Sequence, residues 1–179
     1  GGGKFTMIPL PKMAQVSVLN GMLVDDFDGD GNLDVLISGN DYGTEVGIGR
    51  YDALNGLLLK GNGAGGFTPL NILQSGVYIP GDGKALVKLR RSDGSYLAAA
   101  SQYKDELKVF ALKRKQKSIS VGPDDRYAII HFRNGKIRKQ EFYYGSSFLS
   151  QSARFIWVDS TATAVTITDD KGRSRTVSP

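Results

Sequence analysis

Asp26-Phe27-Asp28-Gly29-Asp30-Gly31-Asn32-Leu33-Asp34 sets four carboxylates within nine residues, with glycines between them. A hard cation suits such a stretch, because calcium takes about six to eight oxygen ligands at roughly 2.3–2.6 Å in a tolerant geometry. Asp26, Asp28 and Asp30 offer side-chain oxygens, Asn32 its backbone carbonyl, and Asp34 closes the ring. Gly29 and Gly31 let the backbone turn tightly enough for alternate carboxylates to converge. An EF-hand opens in the same way but needs a bidentate Glu at loop position twelve. Ile37 stands there instead, inside Val35-Leu36-Ile37, so the loop leads into a β-strand and not a helix. The competing reading is an Asp/Gly turn held by Asx hydrogen bonds without metal. Mutual repulsion of the four carboxylates weighs against it, so a calcium-filled strand–loop–strand is expected.

The rest of the chain agrees with a β-rich protein of short strands. Its 179 residues include 23 glycines, and 40% are hydrophobic and 23% charged, as in a folded chain of one domain or two small ones. The absence of cysteine excludes disulfides and thiolate metal sites. No apolar run approaches the roughly 20 residues of a membrane span. The opening Gly1-Gly2-Gly3-Lys4-Phe5 has neither the charged region nor the apolar core of a signal peptide. The net charge of +5 is mild and gathers after Lys84.

Gly1-Gly2-Gly3-Lys4-Phe5-Thr6 reappears as Gly63-Ala64-Gly65-Gly66-Phe67-Thr68, an offset that also aligns Gly21 with Gly83. One residue later Leu23-Val24 aligns with Leu86-Val87, and Asp30-Gly31 with Asp93-Gly94. A repeat of this length built from short strands suggests propeller blades or a related β array. One full blade is predicted from strands at 21–27, 33–38, 56–60 and 66–73, with 40–55 as an insertion. A strand at 4–10 matches the outer strand of a preceding blade. The following blade has strands at 85–89, 96–101 and 107–112 and no fourth. Propellers close with about four to eight blades, so a piece of a longer protein, or a protomer completed by other chains, is expected.

Residues 113–117 read as a basic linker. Beyond it strands are predicted at 128–132, 137–144, 154–158, 164–168 and 173–177, with Asn134-Gly135 as a hairpin turn. No segment sustains a helical period, so very little helix is expected.

The stretch from Val24 to Leu36 resembles the FG-GAP/VCBS repeats of integrin-like β-propellers, whose loops of this kind bind calcium between the first two strands of a blade. Gly61-Asn62-Gly63-Ala64-Gly65-Gly66-Phe67 is similar to the glycine-rich hairpin before the last strand of that repeat. Tyr144-Gly145-Ser146-Ser147-Phe148-Leu149-Ser150-Gln151-Ser152-Ala153-Arg154 resembles the signature of the ASPIC/UnbV-type domain, which commonly follows such repeats in large bacterial surface or secreted proteins. The resemblance implies repeats over 1–112, a tail domain over 118–179, and an extracellular, periplasmic or outer-surface location. The second repeat departs from the pattern: Leu89, Arg91 and Leu97 stand where the first has Asp26, Asp28 and Asp34. Only Asp93 keeps its place, so no calcium is expected there.

Other candidates carry less. Gly61-x-Gly63-x-x-Gly66 has the letters of a dinucleotide fingerprint, but Phe67-Thr68-Pro69 follows where a helix N-terminus is required. His131 is the single histidine; without a nucleophile elbow nearby it reads as structural. Lys113, Arg114, Lys115, Lys117, Arg133, Lys136, Arg138 and Lys139 read first as a solvated linker and hairpin face, and second as a site for an anionic polymer. Nothing resembles a nucleic-acid reading helix or aromatic motif, so nucleic acid is not an expected partner. Phe142, Tyr143, Tyr144 and Trp157 serve core packing first and a sugar platform second. The expectation is an all-β protein: partial propeller blades of four-stranded antiparallel sheet, then a small β-domain. Its expected function is a non-catalytic, calcium-stabilised binding or scaffold module for a protein or polysaccharide ligand, completed by missing blades or by homo-oligomerisation. The alternative is a fragment of a polysaccharide-active propeller enzyme with its catalytic residues elsewhere.

Overall fold

The computed structural model describes residues 3–114 and 117–179. Gly1 and Gly2 of the repeat flank, and Lys115 and Gln116 of the basic stretch, lie outside the described residues. The chain is all-β. Strands β1 (Leu19–Asp25), β2 (Asp34–Gly39), β3 (Leu57–Gly61) and β4 (Phe67–Leu70) form one antiparallel sheet in that order. Strands β5 (Gly83–Arg90), β6 (Tyr96–Gln102) and β7 (Lys108–Ala111) form a second, three-stranded sheet. The C-terminal part contains β8 (Lys117–Ser120), β9 (Asp125–Phe132), β10 (Ile137–Glu141), β11 (Phe155–Val158), β12 (Ala162–Asp169) and β13 (Ser174–Val177). These make a sheet of order β10-β9-β12-β13 and a separate β8–β11 pair.

The two sequence repeats become two blades, and the shift in their spacing has a structural cause. Met22 and Leu23 follow Gly21 in regular register with Ile37 and Leu36. After Gly83 the register slips before Leu86 pairs with Ala100, so β5 accommodates one extra residue as a bulge. The blades approach closely at Gly21, where a Cβ would stand 2.6 Å from Leu86 Cβ.

Burial explains why β2 is apolar on both faces. Leu36 enters a core with Leu23, Leu86, Tyr96, Ala98 and Ala100 of the two blades. Val35 and Ile37 face the other way, into a core with Leu57, Leu59, Leu54 and Ala14. Leu54 belongs to the 40–55 insertion and Ala14 to a short 3-10 turn, Lys12–Gln15. Asn40 ties the insertion down: buried and at φ 83, it donates to the Leu54 carbonyl at 2.6 Å and to the Gly81 carbonyl at 3.0 Å. β11 divides two further layers. Phe155 and Trp157 join the blade core, while Ile156 and Val158 join the C-terminal core with Ile130, Val165 and Ile167.

Several expected boundaries are corrected. The predicted strand at 4–10 is absent: no strand lies beside it, and Phe5 and Met7 are almost fully exposed. The strand predicted to reach Leu73 stops at Leu70, because Asn71 caps a single helical turn, Ile72–Ser75, and Gly76 closes it at φ 69. The strand predicted to reach Tyr144 ends at Glu141. β8 was not foreseen; its ladder to β11 starts at Lys117, the last residue assigned to the linker. The Asn134-Gly135 turn is present, with Gly135 at φ 82 between β9 and β10.

Candidate metal centre

β1 and β2 end their ladder at the Asp25–Asp34 pair, and the acidic loop spans the gap beyond it. Gly29 and Gly31 adopt φ 78 and 84, a region that favours glycine. Backbone amides point inward to the carboxylates. Asp26 accepts from the Gly29 N–H at 2.5 Å and the Gly31 N–H at 3.1 Å. Asp34 accepts from the Phe27 and Gly61 N–H groups, both at 2.9 Å. Asp28 and Asp30 accept from the amides two residues on, at 3.1 and 2.8 Å. The hydrogen bonds of an Asx turn are therefore present in this loop.

One oxygen from each of Asp26, Asp28 and Asp34 lies within 4.8 Å of the others. Asp26 and Asp34 are buried and Asp28 is exposed, so this triad could hold a metal ion. Asp30 is not a member of this group. Asp30 lies 3.2 Å from the Lys60 ammonium, and the Asn32 side-chain oxygen accepts from Lys136 Nζ at 3.0 Å.

Four basic side chains that the sequence did not connect with the loop surround it. Lys60, from β3, pairs with Asp28 as well as Asp30. Arg138, from β10, is buried and lies 3.2 Å from Asp26. Arg114 covers Gly29, where a side chain would collide with its guanidinium, and pairs with Asp159 at 3.0 Å. Lys136 completes the set through Asn32. The basic residues read as a solvated face are thus partly committed: Arg138 and Lys136 turn to the acidic loop, and Lys139 pairs with Glu141. The only prior signal was alternation, which sets Arg138 on the inner side of β10 and Lys60 among leucines.

The two buried members of the triad are held above the usual carboxylate range. Burial pushes the Asp26 carboxyl above its usual range, with Arg138 pulling the other way and Asp34 adding repulsion. Burial likewise raises Asp34, against the Gly61 and Phe27 amides and with Asp28 adding repulsion. Burial also opposes ionisation of Asp30, but the Asn32 amide and Lys60 bring it below the ordinary value. Burial thus opposes ionisation of Asp26 and Asp34 despite these partners. An all-oxygen, anionic site of this kind fits a hard divalent cation.

The other candidates resolve plainly. Gly61–Gly66 forms the β3–β4 hairpin, with the Asn62 side chain accepting from the Ala64 and Gly66 amides, and no helix follows to receive a pyrophosphate. Asp93 in the second repeat takes its hydrogen bonds from Ser95. His131 lies in β9 opposite Ile137 and Ala164. Trp157 is core, while Tyr143 and Tyr144 are exposed. Tyr144 lies under the Arg154 guanidinium at 4.4 Å. Arg154 itself donates to the carbonyls of Gly122 and Asp125, at 3.1 and 2.7 Å, and so braces the loop before β9. Ser147 and Ser152 of the same signature stretch accept from the Met22 and Lys88 amides of the blades, at 3.2 and 3.1 Å. No helix among the described residues is long and apolar enough to cross a membrane. Neither a protein-family model nor a curated protein matches the chain.

Proposed function

We propose that this chain is a non-catalytic, calcium-stabilised binding or scaffold module of a secreted or surface-attached bacterial protein. In this reading it is built from FG-GAP/VCBS-like blades and an ASPIC/UnbV-like tail. The observation that carries the reading is the convergence of Asp26, Asp28 and Asp34 at the open end of the first two strands of a blade. Calcium supplies positive charge to the two buried carboxylates and so fastens the loop. Asp26, Asp28 and Asp34 hold the ion, and Asp30 and the Asn32 carbonyl complete its shell once Lys60 releases Asp30. The use of the metal is structural: its ligands are carboxylates and a carbonyl, and the single histidine, His131, lies in β9 opposite Ile137 and Ala164 and not in the loop.

Thermal melts in calcium and in excess chelator test the reading. Bound metal stabilises only the native state, so chelation lowers the melting temperature of the wild type. It has no effect on Asp28→Ala. An equal melting temperature of the wild type in both media would overturn the calcium assignment. Turnover of an ester, phosphate or glycoside that disappears in His131→Ala would overturn the non-catalytic one.

A further inference from the structure

The second blade stops one strand short, and the missing strand is written elsewhere in the same sequence. In the first blade β4 pairs with β3 through Gly61↔Phe67, Lys60↔Thr68, Leu59↔Pro69 and Leu58↔Leu70. In the second, β7 occupies the place of β3: Phe110 pairs with Ala98 on the face toward the neighbouring core as Leu59 pairs with Val35. β7 is the outer edge of its sheet, and Val109 and Leu107 are more than half exposed. Residues 5–8, Phe-Thr-Met-Ile, are the repeat equivalents of Phe67-Thr68-Pro69-Leu70 in β4. They pair with nothing, and Phe5, Met7 and Ile8 are 97, 95 and 69% exposed.

We infer that residues 4–8 of one copy of this chain add to β7 of another as the fourth strand of its second blade. Transfer of the β3–β4 register fixes the pairs as Phe5↔Leu112, Thr6↔Ala111, Met7↔Phe110 and Ile8↔Val109. Ile8 then covers Val109 beside Ala99, and two unpaired edges are satisfied together.

The same chain cannot supply both partners. Leu10 is anchored on the core of the first blade that faces away from the second. Ile8 lies two residues from that anchor, a reach of at most about 7 Å. Crossing the first blade to β7 spans at least one sheet spacing of about 10 Å. Because donor and acceptor are different surfaces, the product is a reciprocal dimer or a head-to-tail ring. The inference rests on the blade repeat and is independent of the metal.

The register supplies its own test. The Asn62 N–H donates to the Gly66 carbonyl at 3.0 Å, so by alternation Lys60↔Thr68 is hydrogen-bonded and Leu59↔Pro69 is not. Pro69 is therefore tolerated, with its nitrogen facing solvent. The Leu112 N–H donates to the Tyr96 carbonyl at 3.1 Å, so Phe110 bonds to β6 and Met7↔Phe110 inherits the non-bonded position, where Cα atoms approach to about 4.5 Å and a disulfide can form. The chain has no cysteine of its own. On oxidation, a mixture of Met7→Cys and Phe110→Cys chains gives a covalent dimer. A mixture of Met7→Cys and Val109→Cys chains does not, because Val109 faces the other side. In light scattering across a dilution series, Thr6→Pro weakens self-association roughly tenfold, the worth of one ladder hydrogen bond. Met7→Pro leaves it unchanged. A monomer at every concentration overturns the inference, as does association without the Met7–Phe110 cross-link. A cross-link that forms only within a single doubly substituted chain overturns it in favour of closure in cis. Repeating each arm in calcium and in chelator separates these outcomes from any failure of the metal reading.

Discussion

Arg138→Met removes the cation that the C-terminal sheet places against the acidic loop. The pair it breaks spans 3.2 Å, and both side chains are only 8% exposed. The variant leaves the Asp26 carboxylate buried without its partner, which costs about 3–5 kcal/mol when no other cation is supplied. On the proposed reading, calcium restores a positive charge at the same carboxylate. The remaining loss is then that of the guanidinium over the Phe132 ring, 5.3 Å away, about 1–2 kcal/mol with its packing. The variant is therefore destabilised by roughly 2–3 kcal/mol more in chelator than in saturating calcium, by the difference between these two costs. By linkage it binds calcium more tightly than the wild type, by about 30-fold or more. Urea unfolding followed by fluorescence of Trp157, which is 3% exposed in the core shared by the blades and the tail, reads both losses. Equal destabilisation in the two media would refute the reasoning, because Asp26 would then not exchange Arg138 for the ion.

Two further substitutions probe the frame around the site. Gly21→Ala places a Cβ 2.6 Å from Leu86 Cβ between the blades; chemical denaturation should show a loss of about 1–3 kcal/mol, the cost of overpacking, with the metal stoichiometry unchanged. Arg175 donates to both Asp125 oxygens at 2.6 Å, and these bonds hold the carboxyl below its ordinary range against the effect of burial. A depressed folded pKa contributes stability that is present above the unfolded value of about 3.9 and is lost as pH falls through the folded value. Arg175→Leu therefore lowers stability at neutral pH and moves the acid-unfolding midpoint, read by circular dichroism, to higher pH.

The blade strands were legible because their cues are local. Alternation, Asn/Gly turns and the repeat offset place β1 to β3 and β5 to β7 within a few residues of where they lie. The loop was legible for the same reason: Asp26, Asp28 and Asp34 converge through turns set by Gly29 and Gly31. What escaped depends on neighbours distant in sequence. Lys60 and Arg138 look like ordinary exposed charges until the fold brings them 32 and 112 residues along the chain to Asp28 and Asp26. β8 hides in a basic run and becomes a strand only because Phe155–Val158 lies beside it. Residues 4–10 failed in the opposite sense: their β pattern is real, but a strand forms only where a second edge receives it.

Calorimetric titration of calcium into the wild type and into Asp28→Ala tests the central claim most directly. Asp28 is the exposed member of the triad, so its removal spares the cores and reports on the site alone. The account predicts a single site per chain in the wild type and none in Asp28→Ala. Binding that persists unchanged in Asp28→Ala, or a wild type that takes up no calcium, would contradict it.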